Sequence, residues 1–360
     1  MESFCNQTKI VSGREILGAL KKFSSQRALI VSDPFFYENG TAQKVAVATG
    51  AAETEIFHRV TPDPSVKLAA EGTAVLKHFN PDLVVALGGG SAMDLAKAMV
   101  YFSGTKAPLA AIPTTSGSGS EVTDFAILTH DQVKHPLVDP RLRPALAVLE
   151  GTLLDQLPPG LVADGGFDVL SHALEAYVAT GAGAVTDALA SAAFCTAYGK
   201  LPASFVGQTG VRLAVHNAAT MAGLAFTEAG LGMCHAISHS LGGLFHVPHG
   251  RLNAILLPAV IGCNAHYAGE KYARLARAAG LGGTTDTIAV RNLKNGLIRL
   301  RRELKLPQTL AAAGIDRRSL WQHMENIVAA ALDDPCCRTN PMSVEDYMIR
   351  RVLEEVAGDA

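Results

Sequence analysis

The chain has 360 residues, with 31 Lys and Arg against 33 Asp and Glu, a formal net charge of −2. That length allows two domains of ordinary size, and so balanced a charge gives no electrostatic reason to expect nucleic acid or an anionic membrane as partner. Apolar runs are broken by Gly, Pro, His or Asn well short of the ~20 residues that span a bilayer. Met1-Glu-Ser-Phe-Cys-Asn6 does not read as a signal peptide, and the six cysteines show no paired spacing, so a reduced, cytoplasmic chain is expected.

The first half alternates strand-like and helix-like segments. Residues 8–13 read as a short strand and 15–23 as an amphipathic helix. Residues 27–32 form a compact apolar run, the pattern of a buried parallel strand, and end at Asp33-Pro34. Asp33 thus falls at a strand's C-terminal end, where α/β sheets bind ligands. A carboxylate there can accept from both hydroxyls of an adenosine ribose and repels a 2′-phosphate, which favours NAD over NADP. A helix N-cap is the competing reading. Residues 53–60 read as another strand, and Ser65 as the N-cap of a helix reaching Phe79. The strand at 82–87 runs straight into Gly88-Gly-Gly-Ser91-Ala-Met-Asp94-Leu-Ala-Lys97. Glycines there let the backbone approach a pyrophosphate, and the N–H groups of the next helix face it. Residues 109–113 form a further strand before Thr114-Thr-Ser-Gly-Ser-Gly-Ser120-Glu121, a loop of small hydroxyl residues suited to phosphate, ribose and carboxamide. Strands at 125–128 and 145–149 complete the set. Lys134 between them could reach a phosphate or ribose.

At Leu157-Pro-Pro-Gly160 the texture changes. The expected organisation is an α/β dinucleotide-binding domain over 1–157 and an all-α domain over 158–360, with a catalytic cleft between them. Helices are expected around 161–179, 186–201, 210–224, 235–244, 253–267, 272–279, 286–304, 316–331 and 344–357, with Pro258 kinking or shortening the fifth.

Two clusters in the helical half point to a metal. His235 and His239 are four residues apart and share a helix face, and His249 sits between Pro248 and Gly250 as if presented by a turn. Ala236 occupies the place of the glutamate in an H-E-x-x-H protease helix, so protease chemistry is excluded. Asp168 and His172 form a second i, i+4 pair. One carboxylate with two or three imidazoles suits Fe(II), Zn(II) or a similar divalent ion with a position open to substrate. Cys234 reads as packing, and His246 as a wall residue.

Gly88-Gly-Gly-Ser-x-x-Asp-x-x-Lys97, Pro113-Thr-Thr-Ser-Gly-Ser-Gly-Ser-Glu121, Gly166-Phe-Asp-Val-Leu-Ser-His172-Ala-Leu-Glu-Ala-Tyr and His235-x3-His239-x9-His249-Gly together resemble the iron-containing (group III) alcohol dehydrogenase family, in that family's order and over essentially the whole chain. Phe245-His-Val-Pro-His-Gly and Cys337-Arg-Thr-Asn-Pro341 resemble most the 1-propanol dehydrogenases of bacterial microcompartments. The resemblance implies the dehydroquinate synthase-like fold of that family and a metal held by Asp168, His172, His235 and His249. It implies that His239 lines the substrate site without being a ligand. Gly89, Gly90, Ser91, Thr114, Thr115, Ser118 and Lys134 match cofactor-contacting positions, Asp94 belongs with them in the glycine motif, and Asp33 matches the position favouring NAD. Ser118 stands where a threonine is frequent, and Glu150 where an aspartate is usual.

The activity so implied is reversible hydride transfer between NAD(H) and a short aldehyde/alcohol pair, with the metal as Lewis acid. His239, or a ribose hydroxyl with water, would relay the proton. Competing expectations are lactaldehyde or maleylacetate reduction, a zinc glycerol-dehydrogenase-like enzyme, and a catalytically silent nucleotide-binding scaffold of a microcompartment. The resemblance also implies a homodimer formed through the N-terminal strand region, or a higher homo-oligomer. If the chain lies within a microcompartment, shell or lumen proteins become partners.

Overall fold

A computed structural model describes residues 4–130, 133–208 and 210–358. The chain divides into two compact units, Cys5–Leu157 and Pro158–Ala360.

The first unit is built on strands β1 (Lys9–Gly13), β2 (Arg27–Ser32), β3 (Glu53–Phe57), β4 (Leu83–Gly88), β5 (Leu109–Pro113) and β8 (Leu146–Glu150), all parallel in the order β1-β8-β5-β4-β2-β3. Successive side chains point to opposite faces. Leu29, Val31, Val84 and Ala86 therefore pack on one side, against helices α3 (Val66–Phe79) and α4 (Gly90–Ser103). Ala28, Ile30, Leu83 and Val85 pack on the other, against Leu20 and helix α2 (Thr41–Thr49). Burial on both faces is why these strands are continuous apolar runs in the sequence. A short helix α1 (Pro34–Glu38) follows β2, and Ser65 Oγ caps α3 by accepting Leu68 N–H at 3.1 Å. Strands β6 (Phe125–His130) and β7 (Val133–Val138) form a separate antiparallel hairpin outside the parallel sheet.

The expected helix at 15–23 is instead a 3-10 helix, Leu17–Phe23. Its start is taken over by Glu150, whose carboxylate accepts the N–H groups of Glu15 (2.8 Å) and Ile16 (2.6 Å) while Glu15 adopts a φ of 58°. Glu150 also takes Thr152 N–H and Oγ1–H, so the longer acid ties the end of β8 to the segment after β1.

The second unit is helical: α5 (Pro159–Val178), α6 (Ala184–Phe205), α7 (Val211–Ala229), α8 (Met233–Phe245), α9 (His249–Ala278), α10 (Asp286–Glu303), α11 (Arg317–Gln322), α12 (Met324–Asp333) and α13 (Asp346–Val356). No helix among the described residues is long and apolar enough to cross a membrane. Two expectations are corrected. The segment at 316–331 breaks at His323 into α11 and α12. Helices expected at 253–267 and 272–279 are a single helix, α9, which runs through Pro258. Proline there has no N–H for the carbonyl of Ala254, four residues back. Arg301 of α10 supplies the missing donor: its Nη1 gives hydrogen bonds to Ala254 O at 2.9 Å and Ile255 O at 3.1 Å.

Candidate active site

The loops that follow three neighbouring interior strands, β5, β4 and β2, meet at the C-terminal end of the sheet. Gly88 closes β4 at a φ of 148°, and a Cβ there would lie 2.6 Å from the Cβ of Ala92. Its carbonyl accepts Thr114 N–H at 2.9 Å. A Cβ on Gly89 would lie 3.1 Å from Thr115 Oγ1, and one on Gly90 would lie 3.4 Å from Ser118 Oγ. Gly89, Gly90, Ser91, Thr114, Thr115 and Ser118 thus share one small region, with the N-terminus of α4 opening onto it. Asp33 is the N-cap of α1: Oδ1 accepts Phe36 N–H at 3.1 Å, while Oδ2 lies on the Gly88 side. The cap reading therefore holds, with one oxygen turned to the glycine loop.

Beneath the loop, a buried lysine stands one helical turn from the part-buried Asp94. Lys97 is 0% exposed and gives hydrogen bonds to Ser120 Oγ (3.0 Å), Thr123 O (3.1 Å), Thr123 Oγ1 (2.9 Å) and Phe125 O (2.8 Å). Asp94 accepts from Ser120 Oγ at 3.2 Å. Burial lowers the Lys97 ammonium to about 8, against the pull of Asp94, and raises the Asp94 carboxyl to about 6. Asp94 faces this brace, and Lys134 on β7 is ion-paired to Asp63 at 2.7 Å.

In the helical unit the sequence-predicted cluster assembles from three helices. The i, i+4 spacing puts Asp168 and His172 on one face of α5, and α8 carries His235 and His239. His249 is the first residue of α9, which begins after Pro248. A side chain at Gly250 would drive its Cβ to 1.9 Å from Asp164 O, so glycine is what lets α9 start against α5. Asp168 Oδ1 lies 3.6 Å from His249 Nε2 and 3.9 Å from His235 Nε2. The donor atoms of Asp168, His235 and His249 lie within 4.8 Å of one another and could hold a metal ion. His172 stands beside them, Nδ1 3.8 Å from Asp168 Oδ1, its ring stacked on His235 at 4.5 Å and on Phe226 at 4.4 Å.

Two residues the sequence reading did not single out set the chemistry of this cluster. Glu175, two turns beyond Asp168 on α5, accepts the Nδ1–H of His235 at 2.5 Å and the N–H groups of Gly232 and Cys234 at 3.1 and 2.7 Å. The proton on Nδ1 leaves a lone pair on His235 Nε2. Burial pushes the Glu175 carboxyl up to about 7 against those donors, and keeps His235 far below the usual imidazole value, hence neutral and ligand-competent. Asn253, four residues after His249, points its amide Nδ2 at Asp168 Oδ1 (3.0 Å), His235 Nε2 (3.3 Å) and His249 Nε2 (3.1 Å). Three acceptor lone pairs thus converge on one point of positive polarity. Burial also raises the Asp168 carboxyl.

His239 stacks on His249 with centroids 5.0 Å apart and hydrogen-bonds through Nδ1 to Asp334 Oδ2 at 2.8 Å. Asp334 carried no signal in the sequence, lying 95 residues from its partner. Cys234 is buried packing, as expected. His246 is the left-handed C-cap of α8, with a φ of 55°, and is exposed.

Two family models cover nearly all of the chain: iron-containing alcohol dehydrogenase over residues 7–151, and the C-terminal part of the Fe-containing alcohol dehydrogenase family over 162–357. The chain belongs to the iron-containing alcohol dehydrogenase family, a family of oxidoreductases. It is similar to the 1-propanol dehydrogenase PduQ of Citrobacter freundii, 40% identical over 99% of this chain and 100% of that one. It is also similar to an NADPH-dependent butanol dehydrogenase of Clostridium saccharobutylicum, 34% identical over 98% and 97% of the two chains. Among solved structures, an iron-containing alcohol dehydrogenase from Thermococcus thioreducens superposes with a TM-score of 0.91 at 32% identity, over 98% of this chain and 99% of that one.

Proposed function

We propose that this chain is a metal-dependent, NAD(H)-dependent alcohol dehydrogenase interconverting a short-chain aldehyde, propanal- or acetaldehyde-like, and its primary alcohol. The observation that carries the reading is the convergence of Asp168, His235 and His249 around the Asn253 amide. A four-coordinate ion with bonds of about 2.0–2.2 Å separates its donors by about 3.3–3.6 Å. The 3.6 and 3.9 Å separations fit such an ion after small closing movements. His172 is the fourth ligand in this reading. Fe(II) is favoured, and Zn(II) suits the same donors.

Bound there, the ion supplies Lewis-acid polarisation of a carbonyl oxygen, and the nicotinamide supplies the hydride. The remaining work belongs to the chain. Glu175 holds the His235 ring and its tautomer. The N–H groups at the start of α4, with Ser91, Thr114, Thr115 and Ser118, take the dinucleotide's phosphates and polar groups. Asp33 selects against a 2′-phosphate, in contrast to the NADPH dependence named for the butanol dehydrogenase relative. Asp94 and Lys134 act at the margin of that site. His239 meets the substrate oxygen. Similarity to a 1-propanol dehydrogenase supports the short-chain substrate, and the family resemblance of the sequence motifs is the ground for a cytoplasmic or microcompartment location, with microcompartment proteins and a second copy of the chain as partners.

The test is anaerobic NADH oxidation by protein reconstituted with Fe(II) or with Zn(II), against acetaldehyde, propanal, lactaldehyde and maleylacetate. Turnover of propanal or acetaldehyde ahead of the other two is expected. NADH binding without turnover of any of them, under either metal, would remove the proposed activity and leave the fold standing.

A further inference from the structure

We propose that Asp334 is a positioning residue: it fixes the tautomer and orientation of His239, so that His239 Nε2 presents a lone pair to the hydroxyl of the alcohol substrate. The inference rests on the dehydrogenase reading above and assigns a function to a side chain that reading left unused.

Asp334 stands between α12 and the 3-10 turn Pro335–Thr339, which it caps. Both of its oxygens are engaged. Oδ1 accepts Cys336 N–H at 2.8 Å, and Oδ2 faces His239 Nδ1 at 2.8 Å. With one oxygen held by backbone, the carboxylate cannot swing away from the ring. Burial pushes this carboxyl up, but the donors at His239 and Cys336 outweigh it and hold it down at about 2. The carboxylate accepts the Nδ1–H at 2.8 Å, so in the neutral ring Nε2 carries the lone pair. Among the described residues Nε2 makes no hydrogen bond. The ring lies 5.0 Å from that of His249, with planes 17° apart, and 6.1 Å from that of His235. An acceptor with a fixed orientation therefore stands beside the three converging donors, where an alcohol oxygen would have to lie. Free in this region, an imidazole would sample both tautomers, and only one of them accepts at Nε2.

His239, Asp334 and Cys336 could also be read as ligands of a second ion, since their donor atoms lie within 4.8 Å of one another. The 2.8 Å between Nδ1 and Oδ2 argues for a hydrogen bond, because donors around a four-coordinate ion stand about 3.3–3.6 Å apart.

The experiment is nitrogen NMR of histidine-labelled, zinc-loaded protein, with the His239 signals assigned by their loss in His239→Asn, combined with kinetics and metal analysis. In the parent protein His239 should be protonated on Nδ1. In Asp334→Ala that preference should vanish and kcat should fall about 10–100-fold, the range of lost supporting interactions, with bound zinc and NADH affinity unchanged. Asp334→Asn keeps an acceptor oxygen and should recover part of both. If Asp334→Ala does not fold, Asp334→Asn carries the measurement: its preference for Nδ1 should be weaker than the parent's, and an unchanged preference there overturns the proposal. A His239 protonated on Nε2 in the parent, or a tautomer unchanged in Asp334→Ala, overturns it and leaves Asp334 a turn cap. So does a second zinc per chain that is lost in both Asp334→Ala and Cys336→Ser. The NMR result stands whether or not any aldehyde is turned over, so failure of the substrate reading and failure of this inference are separable.

Discussion

Glu175 and His235 form a buried carboxylate–imidazole pair, Oε2 to Nδ1 at 2.5 Å, in which one acid serves two structures at once. The same carboxylate accepts Gly232 and Cys234 N–H, the orphan donors at the start of α8, where Gly232 offers no side chain to cap them. One residue of α5 therefore fixes the tautomer of His235 and, with Asn340 taking Met233 N–H, the start of the helix that delivers it.

Glu175→Gln should weaken metal binding by about 10–100-fold, because an amide cannot accept at both of its polar atoms. The apo protein should also melt lower, as the cap is half lost. Competition against a chelator measures the first effect and calorimetry the second. A lower melting temperature with unchanged metal affinity would reduce Glu175 to a helix cap.

Arg301 and Pro258 should behave as a coupled pair. Arg301→Met leaves the Ala254 carbonyl buried and unpaired, at a cost of about 1–3 kcal/mol. Pro258→Ala restores an N–H to that carbonyl from within α9, so the double variant should recover much of the loss. Urea midpoints of the four proteins measure the coupling. Additive losses would show that Arg301 stabilises α9 by other contacts.

What the sequence made legible follows from how local each signal is. β5 was readable to the residue because 109–113 is fully buried and bounded by prolines. Asp168 with His172, and His235 with His239, were readable because i, i+4 spacing on a helix needs no tertiary knowledge. The helix α2 escaped notice: its apolar residues are mostly Ala and Val, and it is delimited only by Gly40 and Gly50. β7 escaped because Lys134, His135 and Pro136 read as a loop, and it becomes a strand only by pairing with β6. Glu175, Asn253 and Asp334 act through partners brought close by folding. Arg301, 47 residues from Ala254, keeps α9 whole against the local propensity of Pro258.

Asp33 allows its two readings to be separated. Asp33→Asn retains an oxygen for Phe36 N–H, so the cap survives, while the charge that would oppose a 2′-phosphate is gone. The ratio of kcat/KM for NADH over NADPH should fall about tenfold or more, corresponding to about 1.4 kcal/mol, with little change in melting temperature. An unchanged ratio would leave Asp33 as a cap alone.

Lys97 gives the α/β unit a distinctive dependence on alkaline pH. Burial lowers its pKa from 10.5 to about 8 in the folded chain. Between those two values the unfolded chain holds a proton that the folded chain has released, so stability contributed by this site rises with pH across the window. Below about pH 8 both states are protonated and the full cost of burying the ammonium is borne. Lys97→Met removes the titration and leaves the acceptors at Ser120, Thr123 and Phe125 short of a donor, so it should destabilise the unit at every pH. The gap between parent and variant should widen from pH 7.5 to pH 10, by an amount on the order of 3 kcal/mol at most. Urea midpoints at the two pH values decide it. A gap that stays constant would mean that Lys97 keeps its proton in the folded chain throughout, held by Asp94 and its four acceptors.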